Sequence, residues 1–203
     1  GRPPGQTRLK GWNDNDVNML FLGRWEERKG LPDLLNALAL IRQAIPNIRL
    51  KLGGDGPMRK KIFEQIDRLG LWDIVDLLGI IRDEDLPEVY RSADLLVAPS
   101  SGHEGWGRVP VEALASVTPV VTTDIKGYRE AFGNQIFVTI AKPRDSVDLA
   151  QKVIFTVTLP KEIQEQRKRD GRKFAQTYDW DIVAGNIVTY AESCYRAYYA
   201  QQD

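Results

Sequence analysis

Six short apolar runs alternate with stretches of helical periodicity, and this alternation restricts the possible folds more than any other feature of the chain. The runs are Val17 to Leu22, Ile48 to Leu52, Ile74 to Leu78, Leu95 to Ala98, Val120 to Thr123 and Ile136 to Ile140. Each has the length of a strand, and the first two end at glycine. Between them Leu31, Leu34, Leu35, Leu38 and Ile41 recur at i, i+3, i+4 and i+7, and Met58, Ile62, Ile66 and Leu69 follow the same spacing. That is the apolar stripe of an amphipathic helix. Strands alternating with helices imply βαβ units, so the expected class is α/β, a doubly wound, mostly parallel sheet of about six strands with helices on both faces.

The chain changes character after Pro160. Two helical segments follow, Lys161 to Gln176 and Asp181 to Ala200, broken at Tyr178-Asp179-Trp180, where Asp179 or Asp181 is suited to cap the second. The expected organisation is a Gly-, Pro- and polar-rich linker or tail over residues 1–16, a domain over 17–160 and a helical extension over 161–203.

Composition removes several functional classes. At 203 residues and 42% apolar content, the chain can bury one good core. Its 28 basic and 28 acidic residues balance, which points away from nucleic acid and from anionic surfaces in general. The single cysteine, Cys194, rules out an internal disulfide framework and suits a reducing compartment. No apolar run approaches the roughly 20 residues of a membrane span, and GRPPGQTRLKGW lacks the apolar stretch of a signal peptide. The expectation is a soluble cytoplasmic protein with no transmembrane segment, for which peripheral attachment to a membrane stays open.

Three loops carry candidate chemistry. The run from Ser100 to Glu112, SSGHEGWGRVPVE, follows the fourth apolar run and so lies beyond a strand's carboxyl end, where open α/β sheets bind ligands. Gly105 and Gly107 permit close backbone approach, and a helix starting near Arg108, with Pro110 in its first turn, aims unpaired N–H groups at the same loop. Glu104 in the loop and Glu112 in the second helical turn suit hydroxyls better than phosphate, since like charges repel. The second loop, FLGRWEERKG, brackets Arg24 and Lys29 between Gly23 and Gly30 at the same sheet edge. Two cations there can clamp a diphosphate, although Glu26, Glu27 and Arg28 also allow local pairing. The third is GGDGP, Gly53 to Pro57, a glycine turn that lacks the full G-x-G-x-x-G of a nicotinamide site.

Taken together, FLGRWEERKG, LGGDGP, LGIIRDEDLPEVYRSADLLVAPS and HEGWGRVPVEALA followed by TPVV resemble, in order and spacing, the nucleotide-sugar-binding half of retaining GT-B glycosyltransferases, specifically family 4, the glycosyl transferases group 1. The resemblance covers Val17 to Leu149, and its E-x7-E signature is Glu104 to Glu112. It implies a Rossmann-like C-terminal GT-B domain that takes a hexose-type sugar from a UDP-, GDP- or ADP-sugar and needs neither metal nor other cofactor. By the same resemblance Arg24 and Lys29 hold the donor diphosphate, Glu104 meets the transferred sugar and Glu112 takes the ribose. Backbone at Gly23, Gly54, Gly105, Trp106 and Gly107 lies against the donor, and Ile80 to Arg82, with Ile81 and Arg82 foremost, bracket the base.

Three departures from the family pattern stand out. Val117 replaces a glycine after the E-x7-E helix, so that helix is expected to end differently. Arg108 replaces an apolar residue, and it either adds a cation to the site or reaches solvent. The acceptor-binding domain has no counterpart, since only about sixteen residues precede the first strand. The chain therefore reads as half an enzyme, binding donor without efficient transfer, with its acceptor (a sugar, lipid-linked or protein) held by an N-terminal domain or a partner chain. A non-catalytic nucleotide-sugar-binding module and a GT-B sugar-nucleotide epimerase are the alternatives. His103, the only histidine, is more simply a backbone-bonded loop residue than a general base. The C-terminal aromatics Trp180, Tyr190, Tyr195, Tyr198 and Tyr199 invite a partner-binding reading, but Tyr190, Tyr195 and Tyr198 recur with Cys194 at helical spacing, so most are expected to pack on the domain and some to contact the missing half.

Overall fold

A computed structural model describes Leu9, residues 12–102 and residues 104–199. Six strands form one sheet: β1 (Val17–Leu22), β2 (Ile48–Gly53), β3 (Val75–Gly79), β4 (Leu95–Ala98), β5 (Val120–Thr123) and β6 (Val138–Ala141). All neighbours pair in parallel, in the order β3-β2-β1-β4-β5-β6. The chain winds outward from β1 in one direction and then, from β4, in the other. This makes β1 and β4 the topological switch point, where the carboxyl ends of the strands open a crevice.

Alternate residues along each strand point to opposite faces, and each face carries its own core. Met19, Phe21, Leu50, Leu52, Leu95 and Val97 pack under α1 (Leu31–Ala44), α2 (Arg59–Arg68) and α6 (Ser146–Thr158). Leu20, Leu96, Ala98, Val120 and Val138 pack under α3 (Leu86–Ser92), α4 (Arg108–Ala115), α5 (Lys126–Phe132) and α7 (Lys161–Gln176). Helix α6 is capped by Asp145, whose side chain accepts from the Asp148 N–H at 2.9 Å.

The expected elements are present, with three corrections. The sixth strand begins at Val138 because Ile136 is exposed, so the apolar run overstates it. Residues 1–16 are not all tail: Trp12 is buried in the second core, and the Leu9 N–H donates to Ser92 Oγ at 3.2 Å, because an indole of that size gains more by packing than by solvation. Helix α8 (Trp180–Tyr199) starts where Asp179 accepts from the Asp181 N–H at 3.0 Å, but its aromatics do not pack as expected. Trp180 is 82% exposed, and Tyr190, Tyr195 and Tyr198 are exposed as well. Periodicity reports that a helix face is apolar, not what covers it. No helix among the described residues is long and apolar enough to cross a membrane.

Helix α4 also ends differently from expectation. Val117 adopts the left-handed conformation, φ 64°, that glycine would have taken. The Thr118 N–H bonds to the Ala113 carbonyl at 2.9 Å and the Val117 N–H to the Leu114 carbonyl at 3.0 Å. This is a complete Schellman closure, built at the expense of a β-branched residue's backbone preference. Two bonds to otherwise orphaned carbonyls outweigh the local strain.

Candidate functional site

The loop after β1 tightens into a short 3-10 turn over Glu27–Lys29, and the loop after β4 runs from Pro99 to Gly107. They are tied together through the main chain, where the Ser101 N–H donates to the Arg28 carbonyl at 2.8 Å. Their side chains meet on one atom. Glu104 Oε1 accepts from Lys29 Nζ at 2.6 Å, from Arg28 NH1 at 3.0 Å and from Ser100 Oγ at 2.9 Å. The Glu104 side chain is only 11% exposed, so its charge needs those cations. With Oε1 saturated, Oε2 keeps its acceptor capacity.

Ser100 is itself held in place. Its carbonyl accepts from Thr123 Oγ1, and its hydroxyl oxygen accepts from the buried Tyr128 hydroxyl at 3.4 Å. Burial, reinforced by the nearby Glu104 charge, pushes the Tyr128 phenol well above its ordinary range, so it remains a donor. Behind the loop, the first turn of α5 comes so close that a Cβ on Gly127 would lie 2.1 Å from the Gly105 carbonyl oxygen and 2.5 Å from that of Glu104. Only glycine fits there.

Helix α4 begins at Arg108 after Gly107, whose φ of 83° turns the chain into it. No side chain caps this end, and Pro110 has no N–H, so the orphan donors are those of Arg108 and Val109. They and the positive dipole end face the crevice, the arrangement that receives an anion. Glu112 lies one turn in. Its Oε2 accepts from the Tyr90 hydroxyl of α3 at 2.7 Å, and its Oε1 pairs with Arg108 Nε at 3.3 Å. Burial and the hydrogen bond to Glu112 raise the Tyr90 phenol far above its usual range, which keeps the proton on Tyr90. Arg108 is 80% exposed and reaches solvent while pairing with Glu112.

The remaining candidates gather along the ends of β1 to β3. The Gly23 N–H donates to the Gly53 carbonyl at 3.4 Å and the Gly54 N–H to the Gly79 carbonyl at 2.7 Å, so the three strand ends form one glycine shelf. Ile81, beside Gly53, packs against the second core, while Ile80 is exposed. Arg82 is engaged away from the shelf, by Asp85 at 2.8 Å and Glu84 at 2.6 Å. Arg24 is 70% exposed and pairs with Glu26 at 2.9 Å rather than with Glu104. Trp106 leans edge-on against Tyr178 at the end of α7, with ring centroids 3.9 Å apart. A cleft of about 650 Å³ opens between the loop and α5, lined by Glu104, Trp106, Asp124, Lys126 and Glu130 among others. His103 lies outside the described residues.

Sequence reasoning did not single out Arg28, Ser100, Tyr90 or Tyr128 for the site. Arg28 sits in a run of four consecutive charged residues, where no pattern distinguishes one cation from the next. The tyrosines carried a usable signal, since each lies on a helix face that packs into the core and a buried hydroxyl must find a partner.

This is a doubly wound α/β domain whose cations, carboxylates and uncapped helix start gather at the switch point, where the ligands of open α/β sheets bind. The chain belongs to the glycosyl transferases group 1 family, whose model matches residues 6–174. It is 30% identical over 187 residues to a phosphatidyl-myo-inositol mannosyltransferase of Mycobacterium leprae, covering 92% of this chain and 49% of that protein. Its fold superposes with a TM-score of 0.76 on Anabaena Alr3699/HepE, solved with UDP and glucose, at 27% identity over 88% of this chain and 49% of the other. It also matches, in fold, a C-terminal domain of a group 1 glycosyl transferase from Francisella tularensis, with a TM-score of 0.70, 20% identity and coverage of 86% and 94%. The chain thus spans about half the length of the curated relatives it matches.

Proposed function

We propose that this chain is the donor-binding half of a retaining, family 4 glycosyltransferase that moves a hexose from a nucleoside-diphosphate sugar to an acceptor hydroxyl. The observation that carries the reading is the convergence of Arg28, Lys29 and Ser100 on one oxygen of Glu104, beside the uncapped start of α4. The UDP and glucose in the HepE structure and the mannosyltransferase activity named for the mycobacterial relative support a nucleotide-sugar donor.

In this reading the diphosphate lies over the start of α4, where the Arg108 and Val109 N–H groups, Lys29 and Arg24 meet its charge. Stabilising that charge as the sugar departs is the largest catalytic contribution such a site can make. Glu104 accepts from a sugar hydroxyl through Oε2. Glu112, 33% exposed and braced by Tyr90, accepts from the ribose, and Ile81 flanks the base above the glycine shelf. These cations take the place of a divalent ion, so EDTA should leave donor affinity unchanged, as titration calorimetry would show. A tenfold loss would overturn metal independence.

The acceptor, whether a sugar, a lipid-linked group or a protein, belongs to a second half. The exposed face of α8, with Trp180, Ile187, Val188 and Tyr190, is the surface suited to meet that half. The protein works in the cytoplasm, where its donors are available, or at the inner face of a membrane when the acceptor is lipid-linked. Saturation-transfer NMR against a panel of UDP-, GDP- and ADP-sugars tests the reading. One of them should bind, and Arg24→Ala and Glu112→Ala should each weaken it; binding unaffected by both would place the site elsewhere. Efficient transfer by the purified 203-residue chain alone would show that no second half is needed.

A further inference from the structure

The charged side chains of the two loops form a single file of alternating sign. Arg24 Nε lies 2.9 Å from Glu26 Oε1, and Arg28 Nε lies 3.0 Å from Glu26 Oε2. Arg28 NH1 then lies 3.0 Å from Glu104 Oε1, and Lys29 Nζ lies 2.6 Å from the same oxygen. The two cations on Glu104 are not equivalent. Lys29 is a point charge on a flexible stem, able to swing to another anion. The Arg28 guanidinium is spread as a planar fork between two carboxylates, and its backbone carbonyl is pinned by the Ser101 N–H at 2.8 Å.

An arriving diphosphate sharpens that difference. It competes with Glu104 for Lys29, and Lys29 cannot fully neutralise both. If Lys29 were the only cation on Glu104, the carboxylate would keep just the Ser100 hydroxyl while facing a new negative charge, and repulsion would drive it from its position. Arg28 prevents this, because its fork bridges Glu26 and Glu104 and stays between them.

We propose that Arg28 is a positioning residue that holds Glu104 in place and aimed at the transferred sugar while Lys29 turns to the diphosphate, an inference that rests on the donor-site reading above. Arg28 therefore governs affinity for the sugar, not for the nucleotide. Lys29 governs both.

The test is titration calorimetry on the purified chain with UDP, UDP-glucose, GDP, GDP-mannose, ADP and ADP-glucose. For whichever base binds, Arg28→Ala should weaken the nucleotide sugar about tenfold, the strength of one charge-assisted hydrogen bond, and the parent nucleotide less than about twofold. Lys29→Ala should weaken both. Arg28→Lys should recover only part of the loss, since an ammonium cannot span two carboxylates. In a Glu104→Gln background Arg28→Ala should add nothing, because the residue it acts through has lost its charge. Thermal unfolding of each variant reports whether the fold is intact, and the ratio of sugar-nucleotide to nucleotide affinity is a readout that a merely structural role would leave unchanged. Equal losses for nucleotide and nucleotide sugar would make Arg28 a phosphate ligand and overturn the proposal, as would no loss for either. A wild-type chain that bound none of the six would remove the donor-site reading and this inference together, whereas the other two outcomes remove only the role of Arg28.

Discussion

Two carboxylates in this molecule each hold a lysine and an arginine, and the two groups sit on opposite kinds of support. Asp76 on β3 takes Lys51 Nζ at 2.9 Å and Arg49 Nε at 3.1 Å, both from β2. Lys51 and Asp76 are direct partners in the strand register, and the Trp12 ring lies over Lys51 at 5.0 Å. Glu104 takes Lys29 and Arg28 from a one-turn helix in a loop, and is itself in a loop. A ladder of backbone hydrogen bonds allows the first group no other arrangement. The second can exchange partners without breaking a strand. The same charge pattern thus serves as a fixed cross-strand tie in one place and as a receptive anion site in the other, and what separates them is the backbone beneath.

That contrast should appear first, and most strongly, in stability. The Lys51 side chain is only 3% exposed, so Asp76→Ala would leave a buried ammonium without its carboxylate. The expected cost is about 3 kcal/mol by urea unfolding at neutral pH, the lower end of the range for uncovering a buried charge. The pH dependence should follow. Burial alone would raise the Asp76 carboxyl, but hydrogen bonds from Arg49 and Lys51 more than offset it and hold Asp76 below the usual carboxylate range. A depressed folded value means that this contribution is fully present above the unfolded value of about 3.9 and is lost as pH falls through the folded one. The difference in melting temperature between wild type and Asp76→Asn should therefore be constant near neutrality and close below about pH 4. A difference that instead widened in acid would show that Asp76 is not the group being protonated.

Glu104→Ala should behave in the opposite way. The cations it releases, Lys29 and Arg28, have side chains 20% and 39% exposed and can be resolvated, so the loss of stability should be no more than about 1 kcal/mol. The loss should fall on the ligand, with nucleotide-sugar affinity down about tenfold, or 1.4 kcal/mol, by calorimetry. If Glu104→Ala destabilised the fold as much as Asp76→Ala, both groups would be structural and the distinction between them would collapse.

The same contrast explains which parts of the molecule are legible in its amino-acid sequence. Val17–Leu22, Leu95–Ala98, Val120–Thr123 and Lys161–Gln176 have the bounds their patterns imply, because apolar period and breaker residues decide them locally. The loops are legible as places but not as contacts. That Glu104 and Lys29 share an edge follows from strands β1 and β4 being neighbours, yet the choice of Arg28 over Arg24 as the second cation depends on one 3-10 turn that brings Arg28 and Lys29 to the same carboxylate. The bond from Tyr90 to Glu112 crosses from α3 to α4, and no local pattern encodes it. Helix α8 shows the converse limit, an apolar stripe whose aromatics stay exposed.

Val117 gives the smallest test, on the border between the two regimes. It ends α4, the helix whose start forms the site, in a conformation that costs an L-residue roughly 1–2 kcal/mol. Val117→Gly removes that strain but loosens the unfolded chain by about 0.5–1 kcal/mol. It also gives up the packing of a half-buried side chain. The terms nearly cancel, and a net stabilisation of about 0.5 kcal/mol is expected by thermal unfolding, with donor affinity unchanged because the Schellman bonds of Val117 and Thr118 remain. A destabilisation would mean that the isopropyl group is held by its neighbours firmly enough to outweigh its own backbone strain. A change in donor affinity would mean that the end of α4 is mechanically linked to its beginning, and that the helix belongs with the fixed strands rather than with the loops.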